Sequence, residues 1–349
     1  MFALLATLSF WAFLVARRTL GRRGLVLWAL ASALALLSHY FALFLVVPEA
    51  IWLLLIVRPR LPAALAVGAV GAVGAALIPL VVSQADGRAD WISDSPLADR
   101  VKEVIKKSVT GEYDPTSNIQ ITVLVVVLGG GIAYGLWRAR PQERRGFAVA
   151  LALGAGVPAI ALALDLGGQN YLVAKNVLLA LPILAVAAGA ALGSSGAGRV
   201  GVVAAVFACA GFLAIIAASL TDRTLRRPDM RAAAEALGPP APGEAVVTIY
   251  HGSMPLRLYR PGSTDAGAGA PPVRELNVVL PLNRGDTEGP TRTPTPPTPP
   301  GFTHVERDER PGFTLLRYQA EPAAALDAAT AAALAPGTSR FPSAVLLWP

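Results

Sequence analysis

VGVVAAVFACAGFLAIIAASL, residues 200–220, runs for 21 residues without a charge. At ~1.5 Å per residue it makes a helix of roughly 32 Å, a match to the ~30 Å hydrocarbon core of a bilayer. Charge returns at once in Asp222 and Arg223, and from there Pro, Gly and charged residues interrupt every apolar run. The stretch therefore reads as a last membrane crossing and divides the chain into 1–220 and 221–349. Composition agrees: 15% of the residues are charged, against about 25% in soluble domains, and 54% are hydrophobic. Residues 1–220 hold 17 Lys/Arg and 10 Asp/Glu, whereas residues 221–349 balance at 13 and 13. The net charge of +7 thus belongs to the apolar half, where it is an orientation signal rather than a nucleic-acid footprint.

Upstream of the quoted stretch, Val177–Leu192, Phe147–Leu166, Ile119–Trp137 and Leu61–Val82 repeat the apolar pattern. Leu25–Val57 would be ~50 Å as one straight helix, too long for a single crossing. Arg22 and Arg23 before it and Arg58 and Arg60 after it also mark both ends for the same side. Two short helices with a turn near Ser38-His39-Tyr40-Phe41 reconcile these facts. Phe2–Ala16 spans only about 22 Å and lacks the basic flank and cleavage site of a signal peptide. It reads as the tail of a longer element, with further residues expected upstream of Met1.

The expected fold is a multi-pass α-helical membrane domain of about eight segments followed by a small α/β domain. Arg17–Arg23, Arg58–Arg60 and Arg138–Arg145 all fall on one side, which the positive-inside rule makes cytoplasmic. The expected location is the cytoplasmic (plasma) membrane, with residues 221–349 extracytoplasmic.

Residues 83–118 form a polar external loop with seven acidic and five basic residues. Inside it Leu97, Val101, Val104, Ile105, Ser108 and Val109 share one helical face, with Lys102, Lys106 and Lys107 elsewhere. Ser95 as N-cap, Pro96 at the first helical position and Gly111 as the stop predict an amphipathic helix in the membrane interface, with Trp91 as an anchor. In residues 221–349 the pattern predicts a helix over Pro228–Leu237 and another at about 321–334. Strands are predicted over Ala245–Tyr250, Leu276–Leu280, Phe313–Tyr318 and Ala344–Leu347. The Pro/Gly/Thr-rich tracts 261–272 and 289–301 read as loops.

Polar residues gather at the outer ends of the segments. His39 sits at the hairpin turn; Asp165, Gln169, Asn170, Tyr171, Lys175 and Asn176 surround one short loop. Ionisable groups at membrane depth are costly and tend to face a cavity, a partner or a ligand. Lys175 is placed either to meet a lipid phosphate or simply to snorkel to the headgroups. His39 belongs either to such a site or to an interfacial aromatic cluster with Tyr40 and Phe41. Glu49, beside Pro48, is a neutral buried acid or the partner of another residue. Cys209 is the only cysteine, which excludes an intrachain disulfide and a cysteine metal cluster. His251 and His304 lack metal-ligand spacing. With no Walker loop, dinucleotide glycine pattern, zinc spacing or serine elbow, neither a cofactor nor a metal is expected.

The segment Met1–Ser9, the arginine loop after it and Leu36-Leu37-Ser38-His39-Tyr40-Phe41 resemble bacterial membrane glycosyltransferases of the glycosyltransferase C architecture. These are relatives of the dolichyl-phosphate-mannose protein mannosyltransferases. Gln169–Pro182 is similar to a family element with an aromatic residue, then arginine and asparagine, then an apolar run ending in proline; Lys175 stands where arginine is common. Arg227–Ala233 resembles the link to the family's terminal domain, with Met230 where tryptophan is common. The resemblance covers about residues 1–260.

It implies transfer of a sugar from a polyprenyl-phosphate carrier to a glycan or protein acceptor outside the membrane, in building the cell envelope. An acidic residue of the first external loop would be the general base, and basic residues would hold the lipid phosphate. Lys175 becomes a phosphate ligand, His39 a lining residue of the donor site, and Asn176, Tyr171 and Gln169 its neighbours. The family's catalytic acid precedes the element matched by Met1–Ser9, so the general base is expected upstream of Met1. Asp86, Asp90 and Asp94, in the later external loop, do not replace it. The alternative is a non-catalytic membrane protein of this architecture that binds a partner through its extracytoplasmic domain. A transporter fits less well, because the polar residues crowd one face only.

Overall fold

The computed structural model describes residues 1–58, 60–85, 95–111, 118–221, 229–265, 271–281, 296–310, 312–335 and 343–348. It divides into two compact units, Met1–Gly111 with Thr116–Ala214, and Glu112–Pro115 with Ile215–Pro349. Asp86, Asp90, Trp91 and Asp94 lie outside the described residues, as does the side chain of His251.

The first unit is helical. Phe2–Thr19 (α1) and Arg22–Ser38 (α2) pack along each other at the distance small residues permit. A Cβ on Gly24 would stand 2.7 Å from the Cα of Ala16, so only hydrogen fits there. After His39 and a single 3-10 turn at Tyr40–Ala42, Leu43–Ile56 (α3) runs back. The expected hairpin is present, with α1 joining its arms: Ser9 Oγ and Trp28 Nε1 both donate to Glu49 Oε2, at 2.7 and 2.9 Å, and Ser9 meets Ser32 at 2.8 Å. Glu49 is fully buried, and its partners are these neutral donors.

Arg60–Ala76 (α4) and Ile78–Ala85 (α5) follow with a one-residue break, then Leu97–Thr110 (α6), Asn118–Arg138 (α7) and Pro141–Leu166 (α8). Ala174–Val177 (α9), Ala180–Leu192 (α10) and Gly198–Thr221 (α11) complete the apolar half.

Among the described residues, five helices are long and apolar enough to cross a membrane: Phe2–Thr19, Arg60–Ser83, Ile119–Arg138, Pro141–Leu166 and Gly198–Thr221. Tyr40–Ile56 and Ala180–Leu192 are apolar but shorter. The expected continuous helix over Val177–Leu192 is broken instead. Pro182 has no N–H and its ring excludes the carbonyl of Leu178 from a helical bond. That carbonyl turns to the N–H of Leu181 at 3.2 Å, and α9 and α10 are separate. The outward faces stay apolar, with Leu65 66%, Val126 64% and Leu213 64% exposed, a liability in water and the normal surface in lipid.

The amphipathic helix α6 starts one residue later than its pattern implied. Pro96 is the N-cap, with no side-chain cap from Ser95, and Gly111 ends the helix at φ 84° as expected. Its inner face differs too: Val104 is buried and Leu97 and Val101 pack on the bundle, but Ile105 is 62% exposed and Arg100 is buried.

The second unit holds a six-stranded mixed sheet of order β2-β6-β1-β3-β5-β4. Its strands are Glu244–Ile249 (β1), Thr264–Asp265 (β2), Val273–Pro281 (β3), Thr303–Arg310 (β4), Phe313–Ala324 (β5) and Ser343–Trp348 (β6). Among the described strands only β1 and β3 pair in parallel, with helix Tyr250–Tyr259 (α13) in the connection between them. Alternation assigns the faces. Val246, Val279, Leu315 and Leu346 pack under α13 and Met230–Leu237 (α12), which Asp229 caps by accepting from the N–H of Ala232 at 2.9 Å. Ala245, Val247, Leu276, Val278 and Leu316 form the other core with Ala328–Leu334 (α14).

Here also the sequence reading needs correction. Residues 321–324 extend β5 rather than begin the Ala-rich helix, Tyr250 opens α13 rather than closing β1, and Thr264–Asp265 pairs with β6.

Candidate functional site

The end of the first unit opposite its arginine loops is assembled from two chain segments far apart in sequence. The first is the turn between α2 and α3. His39 leaves the helix in an extended conformation, and its Nδ1 accepts weakly from the N–H of Phe41 at 3.4 Å. In a neutral ring, an accepting Nδ1 leaves the proton on Nε2. The imidazole stacks on Phe2 at 4.7 Å and lies 5.6 and 5.3 Å from the rings of Tyr40 and Phe41. The aromatic cluster weighed for His39 is therefore real.

The second segment is the loop after α8. Gly168 turns the chain at φ 85°, a conformation that costs a residue with a Cβ ~1–2 kcal/mol. The N–H of Gln169 then closes the helix end on Leu164 O at 2.9 Å. Asp165 organises the chain beyond that turn. Its Oδ1 accepts from the backbone N–H of Tyr171 at 2.5 Å and of Leu172 at 3.1 Å, while Oδ2 accepts from Arg100 Nη1 at 2.6 Å. The Asp165 side chain is fully buried and that of Arg100 nearly so. Both carboxylate oxygens are thus occupied, and Asp165 serves as a scaffold for the loop and an anchor for α6, not as a base. Asn176, 2% exposed, donates from Nδ2 to the carbonyl of Tyr171 at 2.9 Å.

The two segments meet where the rings of Phe41 and Tyr171 touch edge to face at 5.4 Å. Lys175, exposed at the start of the next apolar run, is close enough to act on His39: burial first, and then the positive charge of Lys175, lowers the imidazole pKa below 6.5. The structure therefore unites His39, Tyr171 and Lys175 at one end of the bundle. Asn176 is turned inward as a strut for the loop. Gln169 is exposed on the loop and makes no described side-chain contact with the others.

Arg100 is the residue that sequence reasoning missed. It falls three positions after Leu97 and four before Val104, on the face counted as apolar, and that register was the available signal. A cation at mid-face of an amphipathic helix needs a buried acid, and Asp165 supplies it.

Chemically, this end offers a lysine ammonium and a neutral imidazole beside aromatic rings, which suits an anion carried on an apolar body. Among the described residues no group of three or more His, Cys, Asp or Glu side chains could hold a metal ion. His304 packs edge to face on Tyr318 at 5.3 Å in the terminal sheet. A second polar cluster is structural. Glu244, Arg260 and Asn277 are all buried; Arg260 grips both oxygens of Glu244 at 3.0 and 2.8 Å and lies 4.4 Å from the ring centre of Trp348. In comparisons with protein-family models, curated proteins and solved structures, no match to this chain was found.

Proposed function

We propose that the chain works in membrane glycosyl transfer, binding a polyprenyl-phosphate-linked sugar donor at the His39–Tyr171–Lys175 end. The observation that carries this reading is the convergence of the α2–α3 turn and the α8–α9 loop, where the rings of Phe41 and Tyr171 meet at 5.4 Å. Those two segments also carry the resemblance to glycosyltransferase C enzymes. Lys175 binds the lipid phosphate and offsets the charge that grows on it as the sugar leaves. His39 donates from Nε2, the aromatic rings flank the prenyl chain or the sugar, and Asp165 with Arg100 holds the loop in place. The acceptor is a glycan or protein at the outer surface.

Arginine placement supports this orientation. Arg22 and Arg23 lie one helix length from His39, and Arg140, Arg144 and Arg145 lie one helix length from Asp165. The site end is then extracytoplasmic, the membrane is the cytoplasmic one, and α2, α3 and the short α10 add segments to the five long helices, toward the expected eight.

The test is sugar transfer from a radiolabelled polyprenyl-phosphate sugar by native membranes that contain the protein. Lys175→Ala, expressed at the normal level, is expected to abolish transfer and Lys175→Arg to retain it. Unchanged transfer by Lys175→Ala would overturn the donor-site assignment.

A further inference from the structure

Among the described residues from 229 to 348, the exposed large apolar side chains are Met254 (66%), Leu258 (75%), Tyr259 (47%) and Val305 (53%). Three of these four lie within six positions of α13. At i, i+4 and i+5 they share one side of the helix, while Ser253, Leu256 and Arg260 are buried on the other. Pro239, Pro240 and Pro261 line a cleft with Tyr259 and continue the apolar surface. Among the described residues, the charges on and beside this face are paired: Arg257 with Asp265, Arg231 with Glu235 at 3.1 Å and Arg260 with Glu244 at 2.8 Å. A soluble domain seldom gathers its exposed apolar side chains on one helix unless something covers them.

We propose that this face of α13 is a lipid-contact surface, resting in the headgroup boundary of the bilayer that α11 crosses. The length of the tether identifies the occupant. The α12 cap, Asp229, comes eight residues after Thr221, the last residue of α11. Fully extended, that link reaches ~28 Å, close to the diameter of a domain of this size. The tether keeps the second unit within about one domain diameter of the surface where α11 ends. Aliphatic side chains with a tyrosine at their edge are the composition of such interfacial contacts. Because the flanking charges are paired, the contact is apolar and needs no anionic lipid.

Cys209 is the only cysteine, so Cys209→Ala gives a clean background for labelling. The full chain carrying Met254→Cys or Leu258→Cys, labelled with an environment-sensitive fluorophore, is placed in phosphatidylcholine nanodiscs with or without nitroxide-headgroup lipid. Val305→Cys, on the edge strand β4, is the control. The expected result is blue-shifted emission at 254 and 258, quenched several-fold by the nitroxide and unchanged in high salt, with water-like emission at 305. Water-like, unquenched emission at both α13 positions would overturn the proposal. So would blue-shifted but unquenched emission, which means that protein covers the face, or a contact that high salt abolishes. Two labelled positions keep the test decisive if one variant fails to fold. The outcome does not depend on whether the chain transfers a sugar.

Discussion

Asp165 and Lys175 are ten residues apart in one loop region, and the sequence bears on them differently. The depth and sign of Lys175 made it a candidate phosphate ligand from sequence. Asp165 was visible as a member of the polar cluster, but its three hydrogen-bond donors come from Arg100 and from backbone groups, which no pattern in its own segment reveals. Asp165→Asn strands a buried guanidinium, and breaking such a pair costs about 3–5 kcal/mol. Denaturation of the purified protein should show that loss. The double variant Arg100→Met with Asp165→Asn should recover part of it, because no charge is then buried alone. His39 supplies a second measurement. Its lowered pKa means that the folded chain binds fewer protons than the unfolded one between that value and 6.5. The stability tied to the neutral ring is therefore full above pH 6.5 and is lost as pH falls through the folded pKa. In NMR of histidine-labelled protein, with only three histidines to assign, the His39 midpoint should lie below 6.5 and rise when polyprenyl phosphate binds, since a phosphate favours the imidazolium. A midpoint unmoved at saturating lipid would argue against a phosphate beside the ring.

Among the elements, length decided what the sequence could say. The long apolar helices α7, α8 and α11 fall close to their expected ranges, because twenty or more apolar residues leave few alternatives. The short ones went astray where local chemistry competes. Pro182 breaks the run over 177–192, and β4, THVERDER, is too charged to announce itself as a strand. That charge is how an edge strand is kept from pairing with another chain. Helix α13 was hidden by Gly252 and Pro255, both poor helix residues. The α1–α2 contact gives a prediction at this scale. With the Ala16 backbone 2.7 Å from where a Cβ would stand, Gly24→Ala must push the helices apart, at a cost of about 1–3 kcal/mol. Lower thermal stability of this variant, with no loss for Gly68→Ala, where a Cβ would meet nothing, would confirm the close packing.

For the whole molecule, apolar helices followed by a small mixed sheet were legible from charge and from the length of the apolar runs, because lipid and water select opposite surfaces. Orientation is a prediction of the same kind. A reporter active only outside the cytoplasm should be active when fused after Pro349 and inactive when fused in the loop at Arg140, as the basic loops dictate. The sequence placed His39 and the loop near Tyr171 at one end of the segments; what it could not display was the packing that seats Phe41 on Tyr171, 130 residues away. That meeting is the core of the functional account, and direct binding tests it without requiring turnover. The full chain in nanodiscs would be titrated with a labelled polyprenyl phosphate. The account predicts saturable binding that Lys175→Ala weakens about tenfold or more, the ~1.5–3 kcal/mol of a hydrogen bond to a charged group, and that Lys175→Arg preserves. Equal binding by the wild-type and Lys175→Ala chains, or no saturable binding at all, would contradict it.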